Sequence, residues 1–201
     1  DVIDGQGRLC PLIDALCGFT KTTTGSIELG GRKIDRMNAS ARARAGLART
    51  FQAVELFDDM SLLENVQVAV GCASGTSGGT RYLRDLVWPR KQTLPPVAVA
   101  ALTEFGLADA LDSFPSELPA GRQRLAGIAR ALSTEPRVIC LDEPAAGLSD
   151  LEAEELARLV RNIADLWNLS VIVIEHNVQF VRTVSDRIVA LDQGCVIASG
   201  T

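Results

Sequence analysis

Asp142 and Glu143 are the residues whose types and spacing point most directly to chemistry. They follow the apolar run Val138-Ile139-Cys140-Leu141 and precede Pro144, so a strand buried on both faces would deliver two adjacent carboxylates at its C-terminal end. In open α/β sheets ligands bind at that end of the strands. Adjacent side chains diverge there, so Asp142 can hold the magnesium of a nucleotide while Glu143 faces a water attacking the γ-phosphate. Taken alone, the segment leaves open the lesser alternative of an ordinary strand end whose acids meet solvent.

His176 changes that balance. It is the only histidine among 201 residues, and it lies in Glu175-His176-Asn177, directly after a second apolar run, Val171-Ile172-Val173-Ile174. A lone histidine is usually structural. On a parallel sheet, however, this one falls beside Asp142 and Glu143 and can touch a γ-phosphate. Leu118-Pro119-Ala120-Gly121-Arg122 opens a helix running to Leu132, and a helix N-terminus with a glycine and free N–H groups suits phosphate. Gln52, which ends Ala48-Arg49-Thr50-Phe51-Gln52, carries almost no information by itself.

The elements that must position these residues alternate in type. Leu12 to Cys17 predicts a short helix closed by Gly18, and Gly25 to Leu29 with Arg32 to Ile34 predicts a hairpin around Gly30-Gly31. Asn38 can cap a helix over Ala39 to Ala45, while Ser61 and Glu64 form a capping box for Leu62 to Val70. The middle third is therefore expected to be helical. Residues 71–96 are rich in Gly, Ser, Thr and Pro, then basic, and read as an insert. Helical spacing returns over Val97 to Leu107 and Arg122 to Leu132, and a long helix is expected over Asp150 to Leu166. Strand Val171 to Ile174 and helix Val178 to Val184 follow, and two closing strands, Ile188 to Leu191 and Val196 to Ala198, flank Asp192-Gln193-Gly194. Such alternation implies an α/β fold with a parallel sheet.

With 47% apolar residues the chain has ample material for a core. No uninterrupted apolar run approaches the roughly 18 residues of a membrane span, so any membrane role should be peripheral. A net charge of -5 argues against nucleic acid as a partner. The five cysteines show no CxxC pairing and no signal-like segment precedes them, which points to a reduced, cytosolic setting with the cysteines as small semi-buried residues.

Taken in order, Gln52, Leu118 to Arg122, the Asp142-Glu143 strand, Gly147-Leu148-Ser149 and His176 resemble the Q-loop, signature motif, Walker B with its catalytic glutamate, D-loop and switch histidine of ABC-type ATPases. Ala48 to Gln52, Leu56-Phe57, Met60-Ser61 with Glu64-Asn65-Val66, and Asp142 to Leu148 look in particular like the ATPases of branched-chain amino-acid importers. The resemblance implies a P-loop NTPase-like parallel sheet core, with a helical signature subdomain over about 48–135 that contains the insert at 71–96. The whole of 1–201 reads as one nucleotide-binding domain, incomplete at both ends and lacking its first strands.

It further implies ATP and Mg2+ as ligands, with Glu143, His176 and Gln52 catalytic and Asp142 and Gln52 on the metal. Asp142 also binds ATP, and Ala120, Gly121, Arg122 and Ser149 act on the nucleotide of a second such domain. That domain and transmembrane permease subunits are the implied partners, at the cytoplasmic face of the plasma membrane.

The sequence departs from the family pattern at its front. The phosphate-cradling Walker A loop, GxxGxGK[ST], should immediately precede Leu12, where Gly5-Gln6-Gly7-Arg8-Leu9-Cys10-Pro11 stands instead. Leu9 takes the place of the phosphate-binding lysine and Cys10 that of the magnesium-binding hydroxyl, and neither can do that work. Lys21-Thr22-Thr23 spells the end of such a motif but comes after the helix instead of before it. In the signature, Pro119 replaces a serine and Arg122 a glutamine. Arg122 can bring charge to phosphate or simply meet solvent. Ser149 stands where many relatives have aspartate and can, with Glu152, cap the next helix.

Three functional readings follow: an ATPase subunit powering an importer; a binding-only, regulatory or inactive version of it; and a soluble ABC protein acting on ribosomes or DNA. The importer-like surroundings of Gln52 and the absence of a basic tail argue against the third.

Overall fold

In the computed structural model, which describes residues 10–51, 55–73 and 94–201, the chain divides into two units. One comprises residues 1–53 and 137–201, the other residues 54–136. In chain order the elements are α1 (Cys10–Cys17), β1 (Glu28–Leu29), β2 (Arg32–Lys33), α2 (Ala39–Arg44), β3 (Leu47–Arg49), α3 (Leu62–Ala73), α4 (Pro96–Glu104) and α5 (Ala120–Leu132). Then come β4 (Val138–Asp142), α6 (Asp150–Trp167), β5 (Ser170–Ile174), α7 (Val178–Val184), β6 (Ile188–Asp192) and β7 (Cys195–Gly200).

The first unit is built on a parallel sheet in the order β3-β4-β5. Leu47 lies opposite Val138, Val138 opposite Ser170, and Asp142 opposite Ile174. The central strand β4 is apolar on both faces because both are covered: Ile139, Cys140 and Leu141 are all buried. Ile13 and Cys17 of α1, Ile34, Leu47 and Ile174 close a core around Cys140. The alternative of a solvated strand end is ruled out for Asp142, whose side chain is only 4% exposed.

Arg42 of α2 is buried in this unit and donates to the carbonyls of Ala15 and Leu16 at 2.6 Å, and of Asp35 and Met37 at 3.0 Å. It thereby satisfies carbonyls that the last turn of α1 leaves open. Gly18 ends α1 with φ +83, and a Cβ there would lie 3.0 Å from the Arg42 Nε and 3.1 Å from the Ala39 amide, so both conformation and space demand glycine.

Helix α6 buries Ala153, Leu156, Ala157, Val160 and Ile163, a stripe at helical spacing, and stops at Asn168 in the left-handed region. β6 and β7 form a separate antiparallel hairpin turning at Gln193 and Gly194, both with positive φ.

In the second unit, α3 buries Leu62 and Val66, α4 buries Ala98, Ala101 and Leu102, and α5 buries Ala126, Ile128, Ala129 and Leu132. Ser61 and Glu64 cap α3 reciprocally, at 2.8 and 3.3 Å. Asn65, fully buried, donates to the carbonyls of Phe57, Met60 and Ser61 and accepts from the Phe57 amide at 2.8 Å, tying the preceding turn to the helix.

The structure differs from the expectations in three places. Leu47–Arg49 is a strand of the sheet, where the sequence reading assigns no element. Three residues are too few to show a period, and only pairing with β4 makes them a strand. Helix α3 continues past Val70 to Ala73 and α4 begins at Pro96, so both ends of the insert expected at 71–96 are helical. Its residues 74–93 lie outside the described part. The hairpin strands β1 and β2 have two residues each, shorter than expected.

Candidate functional site

β4 carries Asp142 to its end beside Arg49, which β3 presents one strand away. Arg49 Nη2 donates to Asp142 Oδ2 at 3.1 Å, and Nη1 pairs with Asp14 of α1. The guanidinium lies 5.5 Å from the Phe19 ring centroid and 4.6 Å from that of Phe51, and the two rings meet edge to face. Burial works against the Arg49 charge, but the hydrogen bond and charge of Asp14 and the hydrogen bond to Asp142 outweigh it and raise its pKa. Its Nε is enclosed without a hydrogen-bond partner among the described residues. This arginine was missed by the sequence reading, and a basic residue in a segment ending at a candidate ligand, Gln52, was the one available signal.

Glu143 is the first residue past β4. Its amide donates to the Ile174 carbonyl at 2.9 Å, and its own φ of 45 lies in the left-handed region. That conformation costs a non-glycine residue about 1 kcal/mol or more and turns the side chain out of the strand's alternation. Glu143 Oε1 lies 3.0 Å from His176 Nε2. An ionised carboxylate only accepts, so the imidazole Nε2–H donates. His176 is 73% exposed in its side chain and Glu143 24%, so the pair faces outward over the ends of β4 and β5. Thus the adjacent Asp142 and Glu143 and the distant His176 share the C-terminal end of the sheet.

Glu175 joins the two loops that carry this pair. Its Oε1 accepts from the Ala145 amide at 2.7 Å, and its Oε2 accepts from the amides of His176 at 2.8 Å and Asn177 at 3.1 Å. Asn177 in turn caps α7 through the Phe180 amide.

Ser149 caps α6: its hydroxyl accepts from the Glu152 amide at 3.4 Å and Glu152 Oε2 accepts from the Ser149 amide at 2.9 Å. In the other unit Ala120, Gly121 and Arg122 form the first turn of α5, with Pro119 before it. Arg122 Nη2 donates to the Gly106 carbonyl at 2.8 Å and to Asp109 Oδ1 at 2.5 Å. Its charge therefore has a carboxylate partner within its own unit. Gln52 and residues 5–9, including Leu9, lie outside the described part, and Lys21 to Thr23 fall in the loop between α1 and β1. Cys17 and Cys140 are buried against each other, and this contact and burial push the Cys140 thiol far above the ordinary thiol range.

Among the described residues no group of three His, Cys, Asp or Glu side chains could hold a metal ion. A hard carboxylate at a strand end nevertheless fits magnesium, which keeps waters and takes phosphate oxygens alongside one or two protein carboxylates.

A family model described as ABC transporter matches residues 10–146. The chain is 36% identical over 199 residues to the high-affinity branched-chain amino acid transport ATP-binding protein LivG of Salmonella typhimurium, covering 98% of this chain and 78% of that protein. It is 35% identical, with the same coverage, to BraF of Pseudomonas aeruginosa, which carries the same description. To the phosphonates import ATP-binding protein PhnC of Thiobacillus denitrificans it is 32% identical over 197 residues, covering 98% of this chain and 73% of that one. Among solved structures it resembles the ADP conformation of MJ1267, an ATP-binding cassette of an ABC transporter, with a TM-score of 0.77 and 26% identity over 98% of this chain and 76% of that chain.

Proposed function

This chain belongs to the ABC transporter family, and from that premise we propose that it is the ATP-binding, ATP-hydrolysing subunit of an importer for branched-chain amino acids. The observation that carries the reading is the 3.0 Å approach of Glu143 and His176 beside Asp142, at the C-terminal ends of adjacent parallel strands. Glu143 takes the proton of the attacking water, and His176 holds that carboxylate in place while contacting the γ-phosphate. Asp142 and Gln52 hold magnesium, which when bound offsets charge on the phosphates.

Ala120, Gly121, Arg122 and Ser149 serve the nucleotide of a second domain of the same kind, so hydrolysis requires a dimer. Transmembrane permease subunits complete the assembly at the cytoplasmic face of the membrane. No helix among the described residues is long and apolar enough to cross a membrane, in keeping with a peripheral subunit. The solute rests on the similarity to LivG and BraF, and the likeness to PhnC keeps an anionic solute as the competing assignment.

Leu9 and Cys10, standing where a lysine and a hydroxyl are needed, favour a second reading in which this chain binds its partner but hydrolyses nothing at its own site. Both readings are tested with the subunit assembled on its permease in lipid vesicles. Leucine-stimulated ATP turnover is expected, and Glu143→Gln should lower it by about 10²–10⁴-fold while ATP-bound dimers accumulate. Unchanged turnover removes Glu143 as the base, stimulation by a phosphonate instead of leucine replaces the solute, and dimerisation without hydrolysis selects the second reading.

A further inference from the structure

We propose that Glu175 is a positioning residue that locks His176 onto Glu143, an inference that rests on the hydrolytic reading of that pair. The backbone ladder between β4 and β5 ends where the Glu143 amide meets the Ile174 carbonyl. Past that bond the two chains turn apart, one into the left-handed Glu143 and the turn closed by Ala146 N–H to the Glu143 carbonyl at 3.1 Å, the other toward α7.

The Glu175 carboxylate spans this divergence. One oxygen takes the Ala145 amide, two residues past Glu143, and the other takes the His176 and Asn177 amides. A carboxylate accepting three backbone N–H groups makes charge-assisted bonds, each about twice as strong as a neutral one. Its two oxygens are fixed relative to each other, so the loops holding the proton acceptor and the histidine cannot move independently. Glu175 touches neither Glu143 nor the imidazole ring by any of these bonds and acts only through the backbone.

The single histidine makes the coupling measurable without nucleotide. In the full chain carrying ¹³C-labelled histidine, Glu143→Ala is expected to displace the imidazole Cε1–Hε1 resonance. In a Glu175→Gln background, which is isosteric but offers a single acceptor oxygen, the same change should move it by about a third as much or less. An undiminished displacement overturns the proposal.

In the unmodified chain, hydrogen exchange at the Ala145, His176 and Asn177 amides should be slowed by a common factor, since one carboxylate holds all three. An Ala145 amide that exchanges freely while His176 stays protected also overturns it, whatever the variant does to folding. In the permease assembly Glu175→Gln should lower kcat about tenfold or more and leave KM for ATP within about twofold. Loss of the hydrolytic role of Glu143 would show only in turnover and leave the resonance and exchange results standing.

Discussion

Arg49 Nη2 donates to Asp142 Oδ2 at 3.1 Å from the neighbouring strand, and the same guanidinium pairs with Asp14 on α1. One buried cation therefore holds α1, β3 and β4 together at the position expected to face the nucleotide. Replacing it with an uncharged side chain of similar length leaves the nearly buried Asp142 without its ion pair. Arg49→Met should destabilise the chain by about 3–5 kcal/mol, read as a fall in the urea midpoint. Arg49→Lys should recover only part, because one ammonium cannot serve both carboxylates through a planar fork. A midpoint unchanged in both variants would show that the pair contributes nothing.

The residues at the front of the chain are expected to limit nucleotide affinity. Without the lysine and its hydroxyl neighbour, these 201 residues should bind magnesium-ATP more weakly than micromolar. Leu9→Lys with Cys10→Ser and Arg8→Gly should tighten binding by about tenfold or more, at about 1.5–3 kcal/mol for a hydrogen bond to a charged group. Calorimetry measures both, and micromolar binding by the unaltered chain would refute the expectation.

Arg122 is held by Asp109 at neutral pH. The hydrogen bond from Arg122, and after it the Arg122 charge, keeps the Asp109 carboxyl below the ordinary carboxylate range against an opposing desolvation. A lowered folded pKa means that the contact's stabilisation is complete above the unfolded value, about 3.9, and is lost as pH falls through the lower folded value. Carboxyl NMR titration should find Asp109 below that value and Arg122→Ala should restore it. An ordinary midpoint in the unaltered chain would show that the contact with Arg122 does not hold the Asp109 carboxyl.

Asn65 is the polar anchor of the second unit. Asn65→Ala removes the partner of one amide and three carbonyls in a fully buried place. The expected cost is about 3 kcal/mol. Asn65→Asp, which keeps an acceptor but loses both N–H donors, should also destabilise. A urea midpoint within error of the original in either variant would contradict this account.

Much of this was legible because it is local. The run Val138 to Leu141 is long and apolar enough to be a buried strand, and simple counting puts Asp142 at the end of its strand and Glu143 and His176 just past theirs. Caps at Asn38, Ser61 and Ser149 likewise need only residues three positions away. β3 was not legible, since three residues carry no period and Leu47–Arg49 becomes a strand only against β4. Nor was the role of Arg49, whose partners lie on α1 and β4, or that of Glu175, whose carboxylate gains meaning only when the loops after β4 and β5 meet.

Sequence alone thus settles which residues stand at strand ends and helix starts, because hydrophobic period and capping act within a few residues along the chain. It also shows that Gly5 to Pro11, directly before Leu12, hold no lysine. Tertiary structure decides the pairings: Arg49 with Asp142, Glu143 with His176, and Glu175 across both loops. Those depend on parallel register and on one left-handed residue at Glu143, long-range geometry that leaves no periodic trace in sequence.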